Sequence, residues 1–102
     1  MNEIEKLKAE IRAFADARDW EAFHTPKNLS MAVAGEAGEL VAEFQWLTAD
    51  ESMPHSLTSE KLSDIALEIA DVAIYLIRLA DVLNVDIASV VRKKLAINET
   101  RF

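Results

Sequence analysis

The chain of 102 residues contains no cysteine, only two glycines and only two prolines. Without cysteine there are no disulfides and no thiolate metal sites, and a reducing compartment is permitted. So little glycine and proline leaves few of the turns a sheet-rich domain needs, which points to long helices with short connections. No apolar run approaches the ~18 residues of a membrane span. The N-terminal stretch MNEIEKLKAEIRAF is charged and amphipathic and lacks the apolar core of a signal peptide. A basic surplus is missing too. With a net charge of −7, the chain is poorly suited to gripping a nucleic-acid polymer by its phosphates. A small phosphate-bearing ligand stays compatible if a divalent cation comes between. The expectation is one cytoplasmic domain, residues 1–102, with neither membrane nor nucleic-acid polymer as partner.

What is present reads as four helices and no strand. Ile4, Leu7, Ile11 and Phe14 form the stripe of a first helix from Ile4 to Ala17. An aromatic-rich segment, RDWEAFHTPKN, interrupts the pattern, and Thr25-Pro26 supplies a cap and first position for a second helix reaching Leu47. The polar stretch TADESMPHSLTS connects it to a third helix from Glu60 to Leu83. Asn84 is placed to end that helix in the left-handed conformation, and Asp86 to cap a fourth from Ile87 to Asn98.

Two acidic pairs sit where leucine would stabilise the fold more. At about 100° per residue, Leu29, Val33, Leu40, Phe44 and Leu47 gather on one side of the second helix, and Glu36 falls among them. Glu39 and Glu43 lie along the edge, with Trp46 beside Glu39. On the third helix Ile65, Ile69, Val72, Leu76, Leu79 and Leu83 form the stripe; Glu68 falls inside it, and Asp64, Asp71 and Tyr75 flank it. A carboxylate buried without a partner costs several kcal/mol or is forced towards its neutral form. Convergent acids also repel one another unless a cation lies between them. All-oxygen ligation suits Mg²⁺, with Mn²⁺ as a substitute, rather than zinc or copper. The plain alternatives are a solvated acidic face, or neutralisation by Arg12 or Arg78 without a metal. A di-iron bundle is disfavoured, because His24 and His55 do not follow the acids in the Glu-x-x-His pattern.

At these residues the chain resembles the all-α nucleoside triphosphate pyrophosphohydrolases, the MazG-like superfamily, whose signature is E-x-x-E, a spacer and E-x-x-D. Here Glu36-x-x-Glu39 and Glu68-x-x-Asp71 stand twenty-eight residues apart. The blocks RDWEAFHTPKNL, GEAGELVAEFQW, EIADVAIYLI and KLAIN extend the resemblance to the dCTP pyrophosphatase branch over most of residues 17–102. The resemblance implies an all-α, four-helix MazG-like bundle that oligomerises through helix faces as a homodimer or homotetramer. It also implies Mg²⁺-dependent hydrolysis of a nucleoside triphosphate, dCTP or a modified form, to the monophosphate and pyrophosphate. Glu36, Glu39, Glu68 and Asp71 would be the metal-holding and catalytic acids, with Glu39 as the general base. Trp20 and Trp46 would border the base, and Tyr75, Lys94 and Asn98 would lie near the sugar and phosphates. His24 and Asn28 would be supporting or contact residues. The chain departs from the branch at Ile11, where eukaryotic members carry a base-pocket histidine.

Each residue also has a plain reading. Trp20 and Trp46 serve as packing residues, Tyr75 caps a core contact, and Lys94 and Asn98 belong to a helix end. Two other functional readings stand beside the first: the same chemistry on dUTP or a broad set of triphosphates, and a catalytically idle helical module. The third helix adds a clue about assembly. From Ile65 to Ile77 only Glu68 and Asp71 are charged, and Leu67, Ala70, Ile74 and Ile77 cover the side away from the main stripe. A helix apolar nearly all round must be buried nearly all round, which predicts a subunit interface there.

Overall fold

The computed structural model describes residues 2–102. Its helices are α1 (Glu3–Asp16), α2 (Pro26–Ala42), α3 (Ser59–Val82) and α4 (Ile87–Arg101), with a single 3₁₀ turn at Pro54–Ser56. No strand is present among the described residues. None of these helices is long and apolar enough to cross a membrane.

Each helix begins at a side chain that satisfies one of the free N–H groups of its first turn. Asn2 accepts from the Glu5 amide at 2.8 Å and Thr25 from Asn28 at 3.2 Å, the latter followed by Pro26. Thr58 accepts from Lys61 and Asp86 from Ser89, both at 3.1 Å. The ends are equally specific. Asn84 adopts φ 56°, with the Val85 amide donating to Ala80 O at 2.8 Å and the Asn84 amide to Asp81 O at 3.1 Å. This is a Schellman stop, in the left-handed conformation the sequence leads one to expect of Asn84. α1 ends the same way at a residue the sequence reading passes over: Asp19 has φ 55°, and Trp20 donates to Ala15 O and Asp19 to Asp16 O, both at 3.1 Å. The hydrophobic contact that accompanies such a stop is Trp20 against Phe14, edge to face with ring centroids 5.7 Å apart.

Two expectations change. α2 stops at Ala42 rather than Leu47. From there Glu43, Phe44 and Leu47 donate three residues back, to Leu40, Val41 and Phe44, and this tighter winding ends the α-helical register. Bulky Phe44 and Trp46 favour helix weakly. Thr48 and Glu51 then bond each other's amides at 2.8 and 3.1 Å, a capping box that orders the start of the polar connection. The second change concerns the α3 stripe. Ile65 is buried, while Ile69, Leu76 and Leu83 remain half-exposed, and Ile77, expected on the far side, is buried.

α3 is the centre of the fold, packed chiefly along α2 and to a lesser extent against α1. Ala15, Leu29, Ile65 and Ile77 are the buried apolar residues. For 102 residues this is a small core, and the dimensions agree. The radius of gyration is 16.1 Å, against about 13 Å for a compact chain of this length. The accessible surface is 7597 Å², whereas a folded monomer of this mass exposes roughly 5,800 Å².

Candidate active site

Glu36 on α2 and Glu68 and Asp71 on α3 face one another across the main helix contact, each offering a carboxylate oxygen within 4.8 Å of the others. Glu36 and Glu68 are half-buried in their apolar stripes, as the periodicity predicts. Burial, joined by the charges of Asp71, Glu39, Glu36 and Glu43, holds the Glu68 carboxyl above the usual glutamate range. Glu39 is exposed and stands outside the trio, yet near enough for its charge to bear on Glu68.

No cation offsets these acids among the described residues. Both arginines that the sequence offered as neutralisers are engaged elsewhere, at Asp81. Arg12 grips Asp81 with Nε and Nη2, the former at 2.9 Å, and Arg78 reaches it with Nη1 at 3.3 Å. Lys61 pairs with Glu43 at 2.8 Å. A trio of close carboxylates, two of them half-buried and none salt-bridged among the described residues, has the donor chemistry of a hard divalent cation site.

A cavity of about 230 Å³ opens beside the trio, with Asp71 in its wall. Ile11, Phe14 and Ala15 of α1 line one side, Ile74, Tyr75 and Arg78 of α3 another, and Trp20 and His24 of the connecting segment form the rest. Its aromatic rim follows from the stop of α1. The left-handed turn at Asp19 brings Trp20 back against Phe14, and the Arg18 guanidinium stacks on the Phe14 ring at 3.5 Å. The His24 ring lies tilted to Trp20 at 5.8 Å. Burial and the charge of Arg78 hold His24 below the usual histidine range.

The cavity thus brings together Trp20, His24, Tyr75 and Asp71, and with them Ile11. Four of the substrate-contact residues expected from the sequence are not in its wall. Asn28 is occupied locally, its Nδ2 donating to Phe23 O at 3.0 Å. Trp46 lies beyond the end of α2 and is 87% exposed, so it does not share a helix face with Glu39. Lys94 lines an open apolar groove on α4 with Val90, Val91, Lys93 and Ile97. Asn98, also on α4, has a buried Oδ1 without a hydrogen-bond partner among the described residues.

Phe14, Ala15, Ile74 and Arg78 are the wall residues the sequence reading did not place there. Arg78 had a legible signal, as a lone basic residue in the apolar run from Val72 to Leu83. Phe14 had a fainter one, its distance from Trp20 across a helix stop.

The family model of the MazG-like family matches residues 32–102, which hold all four acids. Over all 102 residues the chain is 41% identical to dCTP pyrophosphatase 1 of Homo sapiens and 39% identical to that of Mus musculus. It spans 58% of the length of each of these curated relatives. The crystal structure of a pyrophosphatase from Archaeoglobus fulgidus superposes with a TM-score of 0.91 at 35% identity, covering the whole of this chain and 94% of the other. Helix order, acid trio and family match agree: the chain belongs to the MazG-like family.

Proposed function

We propose that the chain is a Mg²⁺-dependent nucleoside triphosphate pyrophosphohydrolase acting on dCTP or a modified dCTP, in cytoplasmic upkeep of the nucleotide pool. The observation that carries this reading is the unneutralised trio Glu36, Glu68 and Asp71 sharing Asp71 with an aromatic cavity. The names of the relatives at about 40% identity agree with it. Glu36, Glu68 and Asp71, with Glu39 beside them, would hold Mg²⁺, or Mn²⁺ in its place. Such an ion supplies neutralisation of the triphosphate oxygens and lowers the energy of the departing pyrophosphate.

The chain's own groups do the rest. Exposed Glu39 takes the proton of the attacking water as general base. A new P–O bond forms as the α–β anhydride breaks, giving monophosphate and pyrophosphate. Trp20 and His24 border the base, and Tyr75, on the helical turn after Asp71, lies towards the sugar. Stacking on such a ring is worth ~1–3 kcal/mol and discriminates little among bases. Ile11 gives the cavity an apolar wall where a histidine would offer a hydrogen bond.

Trp46, Lys94 and Asn98 require a second copy in this reading, and residues 1–102 form one domain that works as a homodimer or homotetramer. Leu62, Ile69 and Leu76 on α3, and Leu83 at its C-terminal cap, recur every seven residues and are each about half-exposed. That spacing is the seam of a paired helix. The surface in excess of a compact monomer, roughly 1,800 Å² by the mass scaling, exceeds the ~800 Å² that one partner contributes to a standard interface. Lys94 and Asn98 then approach a neighbour's triphosphate. Leu76→Glu should yield monomers in light scattering and lose activity; an intact oligomer would remove the seam from the interface.

The test of the activity is a panel of canonical and modified triphosphates with Mg²⁺, scoring pyrophosphate against orthophosphate. Pyrophosphate release with dCTP preferred is expected. Equal turnover of dUTP would broaden the substrate class, orthophosphate alone would mean a different bond is cut, and no turnover at all would favour an idle module.

A further inference from the structure

One arginine in the cavity wall does more than fill space. Arg78 is 6% exposed, and a guanidinium so buried must have its charge met and its donors used. Nη1 meets Oδ2 of Asp81, an oxygen that also accepts from Arg12 Nε. Nε donates to Nδ1 of His24 at 3.1 Å. A guanidinium never deprotonates at biological pH and offers no acceptor. The ring nitrogen facing it must therefore carry a lone pair, and in a neutral imidazole the hydrogen then sits on Nε2.

We propose that Arg78 is a positioning residue that fixes His24 as the Nε2–H tautomer, so that the cavity offers a pyrimidine ring a hydrogen-bond donor and selects rings that present an acceptor to it. This deepens the reading above and rests on the cavity taking the base. No other group among the described residues accepts from His24 Nε2, which leaves that hydrogen free for a ligand. The ring is oriented by the chain Arg12, Asp81, Arg78, His24, which ties α1 and α3 to the segment before α2. Ile11, across the cavity, has no polar atom to contribute, so in this chain the His24 hydrogen takes on the polar recognition. The lowered basicity of His24, from burial and then Arg78, is in keeping with a ring that stays neutral.

The experiment is ¹⁵N-detected histidine NMR of the full chain, free and with dCMP, which needs no metal. In the free protein Nδ1 of His24 should resonate as an unprotonated nitrogen and Nε2 as a protonated one. dCMP should shift the Nε2 proton downfield without changing that pattern. Arg78→Met should convert the ring to an exchanging mixture and raise KM for dCTP about tenfold, the effect of one lost hydrogen bond, with kcat little changed. His24→Gln keeps an oxygen for Arg78 and an N–H₂ for the ligand, and should hold KM within about threefold; His24→Phe should match Arg78→Met.

A hydrogen on Nδ1 in the free wild type, or an equal mixture of tautomers, overturns the proposal even if Arg78→Met fails to fold. A Gln variant as impaired as the Phe variant also overturns it. If dCMP leaves both Trp20 and His24 unperturbed, the cavity is not the base site and the selection falls with it, while the free-protein spectrum still decides what Arg78 does to the ring.

Discussion

Two groups of carboxylates on α3 have opposite surroundings. Asp81, near the C-terminal end of the helix, is held by Arg12 and Arg78. These hold its carboxyl below the usual aspartate range, the Arg12 hydrogen bond foremost. Glu68 and Asp71, about three to four turns earlier, face Glu36 with no basic partner among the described residues, and Glu68 is pushed the other way. The same helix therefore neutralises one acid with two arginines and leaves a trio without any. Asp81 belongs to a structural ion pair; the trio has no compensating charge among the described residues, and in the proposed function it is a cation site.

Substitutions separate the two groups. Asp81→Asn should destabilise by about 3–5 kcal/mol in urea unfolding, because it leaves Arg78 buried and uncompensated. Glu68→Gln or Asp71→Asn should lower kcat by about 10²–10³, comparable to removing one transition-state-stabilising donor. In EDTA both variants should be as stable as the wild type or more so, since they relieve repulsion. Loss of stability from Glu68→Gln in EDTA would mean that the trio is an ordinary packing element.

pH sharpens the contrast without metal. Asp81 has a folded-state pKa below its ordinary value of 3.8, so its contribution is present above that pH and is lost as pH falls through the lower folded value. Glu68 has a folded-state pKa above its ordinary value of 4.5. Its charged form is thus a penalty that is fully present above the folded pKa and fades as pH falls towards 4.5. Urea midpoints against pH in EDTA should show the two slopes with opposite signs, the first absent in Asp81→Asn and the second in Glu68→Gln.

The smallest effect lies outside both groups and serves as a control. Asp19 and Asn84 both hold left-handed turns, and replacing either with glycine should stabilise by at most about 1 kcal/mol with activity kept. A destabilised Asp19→Gly chain would show that the side chain itself matters to the rim.

Much of this architecture was legible in the residues. Thr25-Pro26, Asn84 and Asp86 mark helix ends by local chemistry alone, and local chemistry survives into the fold. Glu36 and Glu68 were found among leucines by periodicity, because two helices packed side by side obey it. The α3 stripe was legible only in part: a helix wedged between two others is buried on more than one side, so Ile77 is covered while Leu76 is not. Trp46 was misplaced because nothing in EFQWLT announces where α-helical bonding gives way to tighter turns. The Arg78 bond to His24 joins residues fifty-four apart, and only the packing of the segment before α2 against α3 reveals it.

The central claim is that the trio holds a divalent cation, and Mn²⁺ titration followed by electron paramagnetic resonance tests it most directly. The wild type should bind Mn²⁺ in competition with Mg²⁺, and Glu36→Gln and Asp71→Asn should each weaken binding by more than about tenfold. A wild type that binds no Mn²⁺ even with a non-hydrolysable triphosphate present, or variants that bind as tightly as the wild type, would contradict the account.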